Sequence, residues 1–411
     1  MDTKDANAAR EAREKALTDI SEISDQNLLA IIAVEAPNDW ARAAAVDKLQ
    51  FALYQDLLVN IVITDTDADV RMAALLKFRP DQHEDLFVHL ALFDRADTIR
   101  KAAVERINHK KYQELLAMIA IRDKSELVRQ AACIYLTDMY KWTEVVIEAL
   151  YADVRLAAVN RLDAEKNAHL LVTVSIKDTD RAVRKAAIEK LNVEKFQYLF
   201  SGLSDDEDTE IRRAATIRLI PAEHQERLAM LAKIDDDEMV RQYAIEKLDS
   251  TQHQLLLARI SRDDRSAGIR AMALNRLIAE DHQALIAYIA HVDTNAYVRM
   301  CAVEKLPPDS NQPFLARIAL KDKSIRVRIT AICRLNADSY KNLLTAIATT
   351  VEEDTDIRLA AFSRLNNMET KLAIVNSCCE RYKENADLLW DIYTKEGEGE
   401  IRKLIDSTNI E

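Results

Sequence analysis

Apolar positions along the chain recur at two nested spacings. Within stretches of about ten residues they fall at i, i+3 and i+4, the stripe of an amphipathic helix. The stripes return with a longer period, clearest in the unit Asp178-Thr-Asp-Arg-Ala-Val-Arg-Lys-Ala-Ala-Ile-Glu-Lys-Leu191. With the arginine of Val183-Arg184 as phase marker, equivalent arginines stand at Arg42, Arg71, Arg100, Arg129, Arg155, Arg184, Arg212, Arg241, Arg270, Arg299, Arg328 and Arg358, spaced by 29 residues with slips to 26, 28 and 30. A fixed period in this range is the signature of a stacked-repeat array.

Each period resolves into columns. Apolar pairs such as Leu57-Leu58, Leu115-Leu116 and Leu256-Leu257 precede the marker, and Ile119-Ala120 or Ile318-Ala319 follow at helical spacing, predicting a first helix, A. Four residues before the arginine comes Asn38, Asp67, Ser125, Asp180, Asp208, Asp237, Ser266, Asn295, Ser324 or Asp354, interrupted only by Ala96 and Tyr151. Such side chains accept from the orphan N–H groups of a helix start, so this column predicts the N-cap of a second helix, B. Val or Ile precedes the arginine in eleven repeats, Ala follows three residues after it in all twelve, and an apolar residue follows seven after it in all twelve. An alanine in every copy predicts helices that approach too closely for a larger side chain. Pro80, Pro221 and Pro307-Pro308 stand where helix B must stop.

The same pattern sets the boundaries. Residues 1–24 are rich in Ala, Glu and Arg, with Ala9, Ala16, Leu17, Ile20 and Ile23 along one face, and predict a capping helix that covers the apolar end of the first repeat. Residues 25–365 form the array, and 366–411 an altered repeat or a cap. Helical patterns continue there at 369–382 and 385–394, a polar break follows at Glu396-Gly-Glu-Gly-Glu400, and 401–405 predict a last short helix. The fifth repeat is three residues short, with Tyr151-Ala-Asp-Val in place of the usual loop, which predicts a local change of superhelix angle.

Composition adds limits. Only 4 Gly and 6 Pro among 411 residues, with 49% hydrophobic, fit nearly continuous helix with short connections. A net charge of −12 argues against a protein whose main business is gripping phosphate backbones, although a local basic stripe is compatible with it. Cys133, Cys301, Cys333, Cys378 and Cys379 follow no CxxC ligand spacing and read as reduced, core-like residues. The amino terminus lacks an apolar signal core and no apolar run reaches the roughly 18 residues of a span, so the expectation is a cytoplasmic chain.

These columns resemble the HEAT family, especially the short bacterial HEAT-like repeats first described in phycobilin lyases. The family pattern places an Asp in the loop within the repeat and Val-Arg six residues later. Here Asp65, Asp94, Asp123, Asp178, Asp206, Asp235, Asp264, Asp293 and Asp322 each lie six residues before a marker arginine. The resemblance implies an all-α fold, an α-α superhelix of about twelve helix pairs with A helices convex and B helices concave. It implies little about activity, since such repeats serve scaffolds, transport receptors, regulatory subunits and a few enzymes.

Several tempting chemistries weaken on inspection. The Asp and Arg ladder reads as loop hydrogen bonding and pairing of each Asp with an arginine of its own or the next repeat, which keeps repeats in register, not as catalytic groups. The acidic loops at 204–208, 235–238 and 352–354 lack the glycine turn and distal glutamate of a calcium loop. His83, His224, His253 and His282 share one column at the start of helix A, three of them followed by Gln. Repeats stack roughly 8–10 Å apart, so these rings cannot converge on one ion. The iron-binding HEAT-type hydroxylases use several His-Glu pairs, whereas this chain has only His83-Glu84. Trp40, Trp142 and Trp390 are scattered, unlike the clustered cleft aromatics of HEAT-like DNA glycosylases. No cofactor or metal is expected.

Two columns on helix B remain as binding candidates. Six residues after the marker stands Lys48, Lys77, Arg106, Arg161, Lys190, Arg218, Lys247, Arg276, Lys305, Arg334 or Arg364, broken only by Tyr135. At 100° per residue this is a basic ladder about 120° from the marker, on the concave wall. Alternatively these stems lie over alanines and pair with Glu105, Glu189, Glu246 and Glu304. Two residues after the marker the chain carries Ala through Ala214, then Tyr243, Met272, Cys301 and Thr330, then Ala360. With Lys247, Arg276, Lys305 and Arg334 one turn on, the stretch predicts a mixed apolar and basic groove suited to a protein or peptide, acidic or amphipathic. Its alternative is ordinary packing between B helices that stand further apart. The expected function is a non-enzymatic scaffold or adaptor. A nucleic-acid-binding superhelix and a lyase-like or regulatory enzyme subunit are the alternatives. Binding that weakens steeply with salt marks the nucleic-acid case.

Overall fold

The computed structural model describes residues 15–395, apart from 17 and 381, together with 399. The chain divides into two compact units, Met1–Asn192 and Val193–Glu411. In the first unit six helix pairs follow in order: α1 (Gln26–Glu35) and α2 (Asp39–Lys48), α3 (Phe51–Thr64) and α4 (Ala68–Lys77), α5 (Glu84–Phe93) and α6 (Asp97–Val104), α7 (Gln113–Arg122) and α8 (Glu126–Tyr135), α9 (Met139–Glu148) and α10 (Ala152–Arg161), α11 (Ala168–Lys177) and α12 (Arg181–Lys190). The second unit continues with α13 (Gln197–Leu203) and α14 (Thr209–Arg218), α15 (Gln225–Ile234) and α16 (Glu238–Lys247), α17 (Gln254–Asp263) and α18 (Ala267–Asn275), α19 (Gln283–Val292) and α20 (Ala296–Lys305), α21 (Gln312–Lys321) and α22 (Ile325–Cys333), α23 (Lys341–Thr349) and α24 (Thr355–Arg364), then α25 (Met368–Glu380) and α26 (Tyr382–Lys395). Odd numbers through α23 are A helices and even numbers through α24 are B helices. The described residues contain no strand.

The columns acquire physical meaning in this arrangement. All twelve alanines three residues after the marker, from Ala45 to Ala361, are fully buried, and the residues seven after it, such as Leu49, Phe78 and Leu306, are buried with them. Removing the apolar area of one such leucine from water stabilises by about 1.5–3 kcal/mol. Within each unit, neighbouring B helices generally pack more closely than neighbouring A helices. The small alanines permit that approach.

The N-cap column behaves as expected at Asp67, Asp180, Asp208, Asp237, Ser266, Asn295 and Asp354, whose side chains accept from backbone N–H groups one turn ahead. Asn38, Ser125 and Ser324 sit at the same place without a side-chain cap bond. The Ser125 hydroxyl instead donates to Asp97 Oδ2 at 2.9 Å.

The short fifth repeat changes the local packing. Here α7 and α9 pack more closely than α8 and α10, the reverse of the usual order. Accordingly α7 buries six residues, Leu115, Leu116, Ala117, Ile119, Ala120 and Ile121, whereas α5 buries only Phe87, Leu90 and Ala91.

At the C-terminal end α25 packs on α23 and α26 on α24, so the alternation of helix pairs continues past the last marker arginine. At the other end, residues 18–22 are helical and Ile20 is buried. The expected cap before residue 15 and the expected short helix at 401–405 lie outside the described residues. No described helix is long and apolar enough to cross a membrane.

Candidate functional site

The marker arginines link one repeat to the next. Nε and Nη2 of Arg42, Arg71, Arg100 and Arg155 in the first unit, and of Arg212, Arg241, Arg270 and Arg299 in the second, donate to both carboxylate oxygens of an Asp 23 residues ahead, at 2.7–3.1 Å. Nη1 of each reaches back to a carbonyl six residues earlier, as from Arg71 to Asp65 at 2.9 Å and from Arg299 to Asp293 at 2.8 Å. Each such Asp also accepts from its own loop, as from Asp67 N to Asp65 Oδ1 at 2.8 Å. Burial pushes the Asp65, Asp178, Asp293 and Asp322 carboxyls up, but the guanidinium and loop hydrogen bonds outweigh it and hold them below the usual carboxylate range. The arrangement is a fork-on-fork rung with its charges satisfied, which makes it a register device rather than a reaction centre.

The rung is improvised where the pattern breaks. Arg129 meets Asp153 of α10, with Nε and Nη2 both on Oδ2 at 3.2 and 2.9 Å, because the usual loop position is Ala149. Its guanidinium lies 3.8 Å from the centre of the Tyr151 ring. Arg328 takes Glu353 instead, and Arg358 donates to Asn385, carrying the link into α26.

The basic ladder occupies a place that the side-chain pattern did not disclose. Most of its members donate to carbonyls at the end of the preceding B helix or the residues just beyond it, while the Arg161 guanidinium lies 5.9 Å from the centre of the Trp142 ring. In the first unit Arg106 donates to Phe78 O at 3.1 Å and Lys190 to Asn160 O at 2.9 Å, while Lys48 donates to Ile23 O at 2.7 Å. In the second unit Lys247 donates to Leu219 O at 2.9 Å, Arg276 to Leu248 O at 2.6 Å, Lys305 to Asn275 O at 2.9 Å, Arg334 to Leu306 O at 2.6 Å and Arg364 to Leu335 O at 2.8 Å. Helix C-termini leave such carbonyls without intrahelical partners and carry the negative end of the dipole. Burial lowers the Lys247 and Lys305 ammonium groups below the ordinary lysine value.

A glutamine column completes these joints. Nε2 of Gln113, Gln197, Gln254 and Gln312, at the start of A helices, donates to Tyr135 O, Arg218 O, Arg276 O and Arg334 O, the ends of the B helices of the same repeats, at 2.9–3.2 Å. Their Oε1 atoms accept from Thr137 N, Ile220 N, Ile278 N and Asn336 N at 2.7–2.8 Å. Gln283 departs from this because the corresponding residue is Pro307, which has no N–H, and its Oε1 accepts from Ser310 and Asn311. The signal in the sequence was the Gln after three of the four column histidines. Those histidines stand at N-cap positions without a side-chain cap bond.

Of the groove residues, Tyr243 and Met272 are half-buried on α16 and α18, and Cys301 on α20 is only 4% exposed. Around them Tyr297 is exposed and Met239, Met300 and Ile329 are half-buried. The carboxylates Glu246 and Glu304, one turn beyond Tyr243 and Cys301, are exposed. Tyr243 and Met272 thus stand half-open at equivalent positions of consecutive B helices, Cys301 is covered, and Lys247, Arg276, Lys305 and Arg334 lie on carbonyls between helices. Among the described residues no group of three or more His, Cys, Asp or Glu side chains is placed to hold a metal ion.

Helix pairs in strict alternation, keyed by an Arg–Asp rung and a buried alanine column, define a HEAT-like helical-repeat fold. No family model and no curated protein matches the chain. Solved structures similar to it include karyopherins. Yeast importin-β (Kap95p) is 12% identical with a TM-score of 0.43, covering 93% of this chain and 60% of that one. The karyopherin Kap121p bound to the SUMO protease Ulp1p is 14% identical with a TM-score of 0.43, over 98% and 51% of the two chains. Kap121p bound to RanGTP is 13% identical with a TM-score of 0.45, over 98% and 54%. The chain therefore spans about half to three-fifths of the length of these proteins.

Proposed function

We propose that this protein is a non-enzymatic scaffold, built of short HEAT-like repeats of the phycobilin-lyase type, that holds a segment of a partner protein against the B-helix wall of its second unit. The carrying observation is the replacement of the alanine column by the half-buried Tyr243 and Met272, with Tyr297 exposed and Met300 half-buried on the next B helix, α20. Flexible thioethers and aromatic rings half-open to solvent suit protein anchors. A nucleic-acid reading draws on free cations along this wall, and the ladder side chains are committed to carbonyls. A cytoplasmic setting, with its thiols reduced, is part of this reading.

The test is affinity capture from the native cell with the full chain and with a Tyr243→Ala/Met272→Ala/Tyr297→Ala variant. Loss of about tenfold or more of one captured protein in the variant, with unchanged helical content and no effect of nuclease, is the expected result. Equal capture by both chains, or capture abolished by nuclease, overturns the proposal.

A further inference from the structure

We infer that the A-helix face of the second unit docks on the A-helix face of the first unit of another copy of this chain, leaving the B-helix wall free. Charge is the first observation. Across the six A helices of the first unit seven acids stand against three bases, whereas across the six of the second two acids stand against seven bases, in a chain whose net charge is −12. One A-helix face is therefore acidic and the other basic. Asp56 and Asp85 in the first unit, and Lys233, Arg317 and Lys321 in the second, are exposed and have no hydrogen-bond or ion-pair partner among the described residues. Opposite faces attract and like faces repel, so the acidic face of one copy is the complement of the basic face of the next.

The second is register. Asp56, Asp85 and Glu114 hold one position of three successive A helices, 29 residues apart, and Arg259, Tyr288 and Arg317 hold one position of three others at the same interval. All six are exposed. Both columns ride on the same repeat, so both advance by roughly 8–10 Å per step. Laid side by side, the outer carboxylates meet the two guanidinium groups, and the Tyr288 hydroxyl donates to Asp85 between them. Apolar side chains stand among the charges on both faces, Phe93 at 69% exposure in the first and Leu255 at 85% in the second, so contact also removes apolar surface from water. The third is shape. At the short fifth repeat α7 and α9 pack more closely than α8 and α10, which draws the A-helix face inward. Between α7 and α9 lies a hollow of about 580 Å³ floored by Leu115, Met118 and Ile121, with Glu114 on its rim. It accepts a side chain standing out from a neighbour, as Tyr288 and Leu255 do. Three repeats of ten-residue helices about 15 Å long give a face of roughly 400 Å². A pair of copies that makes the contact twice covers roughly 800 Å² of each, the size of a specific interface.

The experiment is sedimentation velocity of the full chain over a concentration series at low and physiological salt. The parent is expected to associate reversibly, and more weakly at the higher salt. Arg259→Glu/Arg317→Glu and Asp56→Lys/Glu114→Lys, with helical content unchanged, are each expected to weaken association about tenfold or more. Lys141, which pairs with Glu114, keeps Glu144 at 3.0 Å when Glu114 is replaced. Mixed in equal amounts, the two variants are expected to recover the association of the parent, because the reversed basic face then meets the reversed acidic face and the two native faces meet each other. Where a reversal costs helix, the neutral Arg259→Gln/Arg317→Gln or Asp56→Asn/Glu114→Gln takes its place, and weakening without recovery is expected. A parent that stays monomeric up to about 100 µM, variants that associate like the parent, or a mixture of folded charge-reversed variants no stronger than its components overturns the proposal. So does binding of the parent to heparin or to anionic vesicles that Arg259→Glu/Arg317→Glu abolishes while self-association is unchanged, because the basic face then serves a polyanion.

Discussion

Two junctions of the first unit hold neighbouring repeats by the same pair of residue types, under opposite conditions. Between the second and third repeats, Arg71 and Asp94 form a bidentate rung whose side chains are 1% and 3% exposed. Between the fourth and fifth, Arg129 finds Asp153 on the helix instead of an Asp in the loop, grips one oxygen only, and leaves that carboxylate 31% exposed. The cause is covalent. Three missing residues remove the loop Asp, bring α7 and α9 together, and put Tyr151 under the guanidinium. The difference teaches that the rung is strong only where the loop encloses it. A buried charge pair contributes little net energy while intact, yet removing one partner strands the other charge.

The largest effect is expected at the enclosed rung. Asp94→Ala leaves the Arg71 guanidinium buried without its carboxylate, at a cost of about 3–5 kcal/mol. Because repeat arrays unfold piecewise, the measurement is hydrogen exchange of α4 and α6. Protection there should collapse while α10 and α11 keep theirs. Uniform loss along the first unit, or no loss, would refute the idea that each rung acts locally.

An intermediate effect is expected where a second unit junction carries an extra rung. Arg213 donates to Asp237 at 2.8 and 2.6 Å, beside the Arg212–Asp235 pair. Hydrogen bonding from Arg213 pulls the Asp237 carboxyl down to about 2. A depressed carboxylate stabilises the fold fully above its unfolded value of roughly 3.8, and that contribution is lost as pH falls toward about 2. Arg213→Ala should therefore lower stability by about 1–2 kcal/mol above pH 4, after allowance for a side chain about one-third exposed. The gap from the parent should close as the pH drops. Urea midpoints at several pH values read it, and a gap that widens on acidification would contradict the assignment.

Much of this arrangement was legible because packing is periodic. The alanine three residues after the marker and the apolar residue seven after it recur because each faces a neighbour at the same distance, and twelve copies average out local noise. Backbone partners were not legible. The ladder lysines and arginines cap carbonyls, and carbonyls leave no trace in a pattern of side chains. Spacing pointed each loop Asp to an arginine of its own or the next repeat, and the structure pairs it instead with the marker arginine of the repeat before, as Asp94 with Arg71. The role of Gln254 was written in the Gln column itself, and reading it needed the end of α18 beside the start of α17. Cys301 looked like a groove residue by column and proved nearly covered, because the alanine-sized gap between B helices admits a thiol.

The smallest effect belongs to the open rung. Asp153→Ala removes a partly solvated carboxylate from Arg129, whose guanidinium keeps the Tyr151 ring and the carbonyls of Asp123 and Lys124 at 3.1 and 3.0 Å. The cost should be about 0.5–1 kcal/mol, part of it the loss of an acid in the first turn of α10. Being exposed, this contribution should shrink as salt rises from low ionic strength to about 1 M, where the screening length falls to about 3 Å. At the enclosed rung the Asp94→Ala deficit should hardly respond to salt. Exchange rates of α8 and α10 in Asp153→Ala and of α4 and α6 in Asp94→Ala, measured across that range, decide the matter: parallel salt curves would mean that the loop does not shelter its carboxylate after all.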